Sequence, residues 1–130
     1  MNSSLTGDAN VWLFRQIRIE RSAIMNEKIK LSCEIRAGII KALAHPSRVF
    51  IVEQLARNER CVCELREMIG ADISTVSKHL SILKNAGIVS DEKRGLKVFY
   101  RLNMPCALNF LECAGKIMKI RARRELDLVK

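Results

Sequence analysis

Aromatic side chains make up only 5% of this 130-residue chain, and it carries just two prolines, six glycines and two histidines. No apolar run approaches the ~18 to 20 residues that a bilayer-spanning helix needs, which argues against a membrane-spanning helix. The first residues also lack the apolar core of a secretory signal, so a cytoplasmic location is expected. There is no internal repeat, no low-complexity tract and no glycine-rich cofactor loop. With 48% apolar and 28% charged residues the composition is too apolar for disorder and ordinary for a helical globular domain. A chain of roughly 100 to 200 residues usually closes one hydrophobic core, so a single folded unit is expected.

Acidic residues are also in deficit, 14 against 23 lysines and arginines, for a formal charge of +9. A field of that sign suits phosphate backbones or anionic lipid, leaving DNA, RNA and a membrane surface as partners to discriminate. The five cysteines, at positions 33, 61, 63, 106 and 113, are an odd number without an export signal. That argues against a disulfide framework and for thiols used in metal or redox chemistry. Free cysteines are also commonly small buried hydrophobes, and Cys33 is assigned to that role.

Residues 1–26 are an amino-terminal extension, with an apolar scatter through Val11, Trp12, Leu13, Phe14, Ile17 and Ile19. Either it packs on a partner subunit as a helix, or translation begins at Met25. From Glu27 to Leu43 apolar residues recur at intervals of three or four, which predicts an amphipathic helix. His45-Pro46 ends it, and Pro46 opens a second helix to about Arg57. A third helix is predicted over Cys61 to Ile69 with Gly70 as its cap, and a fourth over Ser74 to Ala86 with Gly87 as its stop. Two helices joined by Gly70-Ala71-Asp72 form a helix-turn-helix candidate. The period then changes, and Ile88-Val89 and Val98, Tyr100 and Leu102 flank a charged centre, predicting a β-hairpin. A last helix opens at Pro105 and runs to about Arg124, leaving 125–130 as a tail. The fold class is therefore mainly α with a β-hairpin wing, a winged helix-turn-helix of order α-α-α-α-β-β-α over residues 27–124.

Ser74, Thr75, Ser77 and Lys78 crowd the first turns of the fourth helix, the part of a recognition helix that points into the major groove. Hydroxyls bond phosphates or base edges, and lysine reaches a phosphate or a guanine. A solvated, capped helix face is the alternative. Residues 74–102 hold six basic side chains against two acidic ones, and Lys93, Arg94 and Lys97 sit in the hairpin, where they would add salt-dependent affinity for DNA.

Several motifs occur in fixed order: Ala44-His45-Pro46-Ser47-Arg48, Ile73 through Leu80, Leu83-Lys84-Asn85-Ala86-Gly87-Ile88-Val89, and Gly95 through Leu102. Over about residues 27–120 the chain resembles the ArsR/SmtB family of repressors. The resemblance implies a homodimer paired through the first and last helices and bound to palindromic, double-stranded operator DNA, with no cofactor needed for binding. It also implies that His79 is a packed helix residue without ligand duty. Cys61-Val62-Cys63-Glu64-Leu65 resembles the family's arsenite-sensing segment, in which a third cysteine follows three positions later; Arg66 stands there. The zinc sensors of the family use histidines of the last helix, and this helix has none.

At about 100° per residue a regular helix would throw Cys61 and Cys63 roughly 200° apart. Only an unwound, near-extended first turn lets both sulfurs meet one soft ion. Arg60, Arg66 and the helix amino terminus favour thiolate over thiol. Cys106 and Cys113 share one face of the last helix but lie roughly 10 Å apart, so neither closes a mononuclear site with the other. Either could supply a third sulfur, from the same or the partner subunit, or pack in the interface. The function expected is a repressor released by arsenite or a soft divalent metal ion. A redox or persulfide sensor is the alternative, and a thiol oxidoreductase is disfavoured because Cys-x-Cys lacks a βαβ context.

Overall fold

The computed structural model describes residues 25–130, so the readings made for residues 1–24 lie outside the described residues. Helix α1 spans Glu27–Leu43 and α2 spans Pro46–Arg57, with the bounds that apolar spacing predicts. Asn26 caps α1, its Oδ1 accepting the Ile29 N–H at 2.9 Å. His45, in extended conformation, caps α2 through Nδ1, which accepts the Ser47 N–H at 3.1 Å, and Pro46 takes the first turn where its missing N–H costs nothing.

The next segment departs from expectation. Arg60–Cys61 is a short strand, β1, and the third helix, α3, spans Val62–Ile69. Cys61 is therefore not helical; it is the extended N-cap of α3, and its Sγ accepts the Glu64 N–H at 3.4 Å. Gly70 ends α3 at φ 72°, a left-handed cap that glycine adopts without steric cost. Helix α4 spans Ile73–Asn85, so the expected three-residue turn separates the two helices. Strands β2, Val89–Arg94, and β3, Lys97–Leu102, form the expected hairpin, in register from Val89 opposite Leu102 to Arg94 opposite Lys97. Strand β1 adds to it, pairing antiparallel with β3 through Arg60 opposite Tyr100 and Cys61 opposite Phe99, in the order β1-β3-β2.

Helix α5 spans Ala107–Val129, beginning two residues after Pro105 and passing Arg124, so most of the expected tail is helical. Neither glycine nor proline occurs after Gly115 to stop it, and leucine, arginine and glutamate sustain it.

The chain divides between Arg36 and Ala37, within α1, and the second unit, Ala37–Lys130, holds the core. Ile51, Val52 and Leu55 of α2, Leu65 of α3, Val76, Leu80 and Leu83 of α4, and Ile88 and Val89 make one buried cluster. Burying a large aliphatic side chain contributes about 1.5 to 3 kcal/mol, so this cluster fixes α4 and the hairpin relative to α2. Outside the core, Ile29, Leu31, Ile35 and Ile40 of α1 and Phe110, Ile117, Met118 and Ile120 of α5 are exposed. Among the described residues no helix is long and apolar enough to cross a membrane.

Candidate nucleic-acid interface and cysteine pair

Helix α4 has two chemically distinct faces. Val76, His79, Leu80 and Leu83 are buried, whereas Ser74, Thr75, Ser77 and Lys78 are all exposed on its first turns. The 3.6-residue period with a narrow apolar stripe produces this split. Asp72 fixes the start of the helix: its Oδ1 accepts the Thr75 N–H at 2.7 Å and the Ser74 hydroxyl at 2.8 Å. Hydrogen bonds from the Thr75 side chain and backbone, then from Ser74, lower its carboxyl to about 2. Ser77 and Lys78 make no such cap contacts, so they present their polar groups outward.

The other side of α4 is tied to α2 by an imidazole pair. His79 is buried with its ring centroid 4.4 Å from that of His45, and its Nδ1 lies 3.3 Å from Nη1 of Arg48. Guanidinium only donates, so Nδ1 of His79 is the acceptor and the ring is neutral there. Arg48 Nε donates to the carbonyl of Ala42 at 2.6 Å, which holds the guanidinium in place. Burial lowers the His79 pKa, reinforced by the nearby His45, Arg48 and Lys78. His79 is thus a packed residue of α4.

In the wing, Gly95, at φ 62°, and Leu96 form a two-residue loop, the geometry of a hairpin turn with glycine first. Lys93 and Lys97 are exposed and have no acidic partner among the described residues. Arg94 is placed differently. Its Nη1 meets Oε1 of Glu59, its Nη2 meets Oε2 of Glu92 at 2.7 Å, and the guanidinium lies 4.9 Å from the ring centroid of Phe99. The two carboxylates push its pKa further up. Lys84 is likewise engaged, with Nζ 2.9 Å from Oδ1 of Asp91, and its pKa is raised by that hydrogen bond. Arg101 Nε donates to the Ser90 hydroxyl at 3.0 Å. Spacing along the chain does not show which basic residues carry carboxylate partners, because Glu59 is 35 residues from Arg94.

Cys61 and Cys63 are joined as a disulfide, with Cα atoms 5.4 Å apart. One local bridge with three free cysteines is not a disulfide framework, and the two sulfurs meet because the first turn is extended, the arrangement their approach requires. The physical reason is the extended backbone at Cys61, since side chains two residues apart on extended chain point the same way. Cys61 is buried and Cys63 exposed, so the pair has one wet face. Cys33, Cys106 and Cys113 are free and exposed. Exposure of Cys33 departs from the expected burial, because α1 buries only Ala42 and Leu43. Among the described residues no three histidine, cysteine or acidic side chains gather to hold a metal, so Cys106 and Cys113 are not brought to the pair. Arg66 stands exposed on α3.

The family model for the bacterial regulatory proteins of the arsR family matches residues 45–91, which run from the cap of α2 into β2. The crystal structure of the transcriptional repressor BigR from Xylella fastidiosa superposes with a TM-score of 0.60 at 31% identity, covering 70% of this chain and 93% of BigR. The chain belongs to the ArsR family. Within it, the chain is 47% identical over 64 residues to the transcriptional repressor SmtB of Mycobacterium tuberculosis, 49% of this chain and 47% of SmtB. It is 36% identical over 77 residues to the cadmium resistance regulatory protein CadC of Lactococcus lactis, 58% of this chain and 65% of CadC. The chain thus spans about half the length of SmtB, and the family-model match covers α2, α3 and α4.

Proposed function

We propose that this chain is a cytoplasmic, DNA-binding transcriptional repressor, not an enzyme, whose operator affinity is controlled from the Cys61–Cys63 pair. The observation that carries the DNA-binding part is the two-faced α4, with Leu80 and Leu83 fixed in the core and Ser74, Thr75, Ser77 and Lys78 exposed at its amino-terminal turns. Side chains at that end of a recognition helix meet base edges and phosphates, while Lys93 and Lys97 of the wing reach the flanking backbone. The exposed apolar residues of α1 and α5 support a homodimer paired through those helices, and two-fold symmetry calls for a palindromic site. The test is enrichment of duplexes from a random-sequence pool by the purified chain. Palindromic duplexes are expected, and enrichment of RNA or of no nucleic acid contradicts the reading.

Control from the thiols has a direct geometric route. Cys61 caps α3, the helix that leads into α4, and pairs across the sheet with Phe99 of the wing. Clustered thiolates select soft ions, so Cys61 and Cys63, once reduced, would hold arsenite or a soft divalent ion; because Cys106 and Cys113 of the same chain are not gathered at the pair, a third sulfur would come from Cys106 or Cys113 of a second subunit. CadC, named for cadmium resistance, supports a soft-metal response. A ligand at the pair acts by differential affinity for the DNA-competent and DNA-incompetent conformations.

The disulfide favours a second reading, a redox sensor. There, the two thiols give up two protons and two electrons to hydrogen peroxide, which leaves as two waters, and the Cys61–Cys63 bond forms. Operator release by arsenite but not by peroxide supports the first reading, and the reverse supports the second.

A further inference from the structure

We propose that Arg94 is a positioning residue that clasps the wing to the chain entering the cysteine pair, and that it makes no phosphate contact. The assignment rests on the DNA-binding reading above and concerns which wing residues carry it. Side chains alternate along a strand, and directly paired residues share a face. Cys61 pairs with Phe99, and Phe99 pairs with Glu92, so these three lie in one row on one face of the sheet. Arg94, two residues from Glu92 on β2, extends that same face, and Glu59, which immediately precedes β1, meets its guanidinium.

The guanidinium closes the row. It binds a carboxylate from each edge, Glu59 before β1 and Glu92 on β2, and lies over Phe99 of the central strand. Its donors are directed at carboxylates, and its charge is offset by two acids, leaving little for a phosphate. Lys97, paired with Arg94 across the hairpin, and Lys93, next to Arg94 on the opposite face of the sheet, lack acidic partners among the described residues and are the wing's phosphate ligands. The clasp therefore sets the angle at which those two lysines meet DNA. It also joins the wing to a residue two positions from Cys61, so a rearrangement at the thiols reaches the lysines through Glu59.

The salt dependence of operator binding separates a phosphate contact from a positioning residue, because each phosphate neutralised releases counterions. The full chain is titrated over a range of salt onto a duplex enriched by the wild type. Lys93→Ala and Lys97→Ala should each flatten the slope of log K against log salt by about 0.9 per subunit engaged. Arg94→Gln should leave the slope as in wild type while weakening binding by roughly two- to five-fold, the scale of an exposed ion-pair network. Glu59→Gln should weaken binding similarly although it removes a negative charge, and the double variant should be no weaker than either single one. Flattening by Arg94→Gln equal to that of the lysine variants, or tighter binding by Glu59→Gln, overturns the assignment. Both of those outcomes leave the DNA-binding reading intact. A wild-type chain that enriches no duplex sinks that reading and the assignment with it.

Discussion

The two faces of α4 make opposite demands on a substitution, and replacing one residue on each face puts that to a quantitative test. Leu80 is fully buried among Val76, Leu83 and the core side chains of α2 and α3. Truncating it to alanine removes the transfer free energy of the lost carbons and leaves a cavity, a loss of about 2 to 5 kcal/mol. Against a domain stability of about 5 to 15 kcal/mol that is a large fraction. Ser77, one turn earlier and exposed, should change stability by no more than about 0.5 kcal/mol when replaced by alanine. Urea denaturation of both variants, followed by operator titration of each while folded, separates the roles. Leu80→Ala should lower the midpoint sharply; Ser77→Ala should leave the midpoint alone and weaken operator binding. A Leu80→Ala loss under about 1 kcal/mol refutes the core assignment, and unchanged operator affinity for Ser77→Ala refutes the reading of the exposed face.

Other predictions concern the same segment. His79 has a folded-state pKa below its ordinary value, so the unfolded chain takes up a proton first as pH falls through about 6.5, and stability present above that pH is lost below it. Urea midpoints measured from pH 7.5 to pH 5 should fall in wild type and fall less in His79→Gln. Gly70→Ala places a Cβ in open space but at φ 72°, so its whole cost is backbone strain, about 1 to 2 kcal/mol, read as a shift in thermal midpoint. Reduced protein treated with iodoacetamide should be modified at exposed Cys63 well before buried Cys61, as peptide mass spectrometry would show; the opposite order contradicts the N-cap placement.

The extents of α1 and α2 were legible because their signals are local: apolar spacing from Ile29 to Leu43, and His45-Pro46 as a combined stop and start. The turn at Gly70-Ala71-Asp72 was legible for the same reason, since glycine at positive φ and aspartate at an N-cap act within a few residues. Strand β1 was not. Two residues carry no alternation, and Arg60–Cys61 is a strand only because β3, some 40 residues later, supplies its hydrogen bonds. Missing it put Cys61 at the start of a helix, where its sulfur approaches that of Cys63 only if the first turn unwinds; the extended N-cap supplies that geometry. The basic wing was legible as a charge total but not as a set of contacts. Arg94 and Lys84 spend their charge on Glu59, Glu92 and Asp91, and partners so distant in sequence leave no local signal. The pairing of His45 with His79 has the same origin.

The central claim is that operator affinity is set at Cys61 and Cys63, and release of the bound duplex tests it most directly. Fluorescence anisotropy of a labelled, enriched duplex would be followed while reduced protein is titrated with arsenite, and in parallel with cadmium, zinc and peroxide. Wild type should let go of the duplex at saturating arsenite, while Cys61→Ser and Cys63→Ser should bind it as tightly as wild type and stay bound; Cys106→Ser and Cys113→Ser identify any third sulfur. A wild-type complex that survives every one of these reagents, or serine variants at 61 and 63 that release as readily as wild type, contradicts the account.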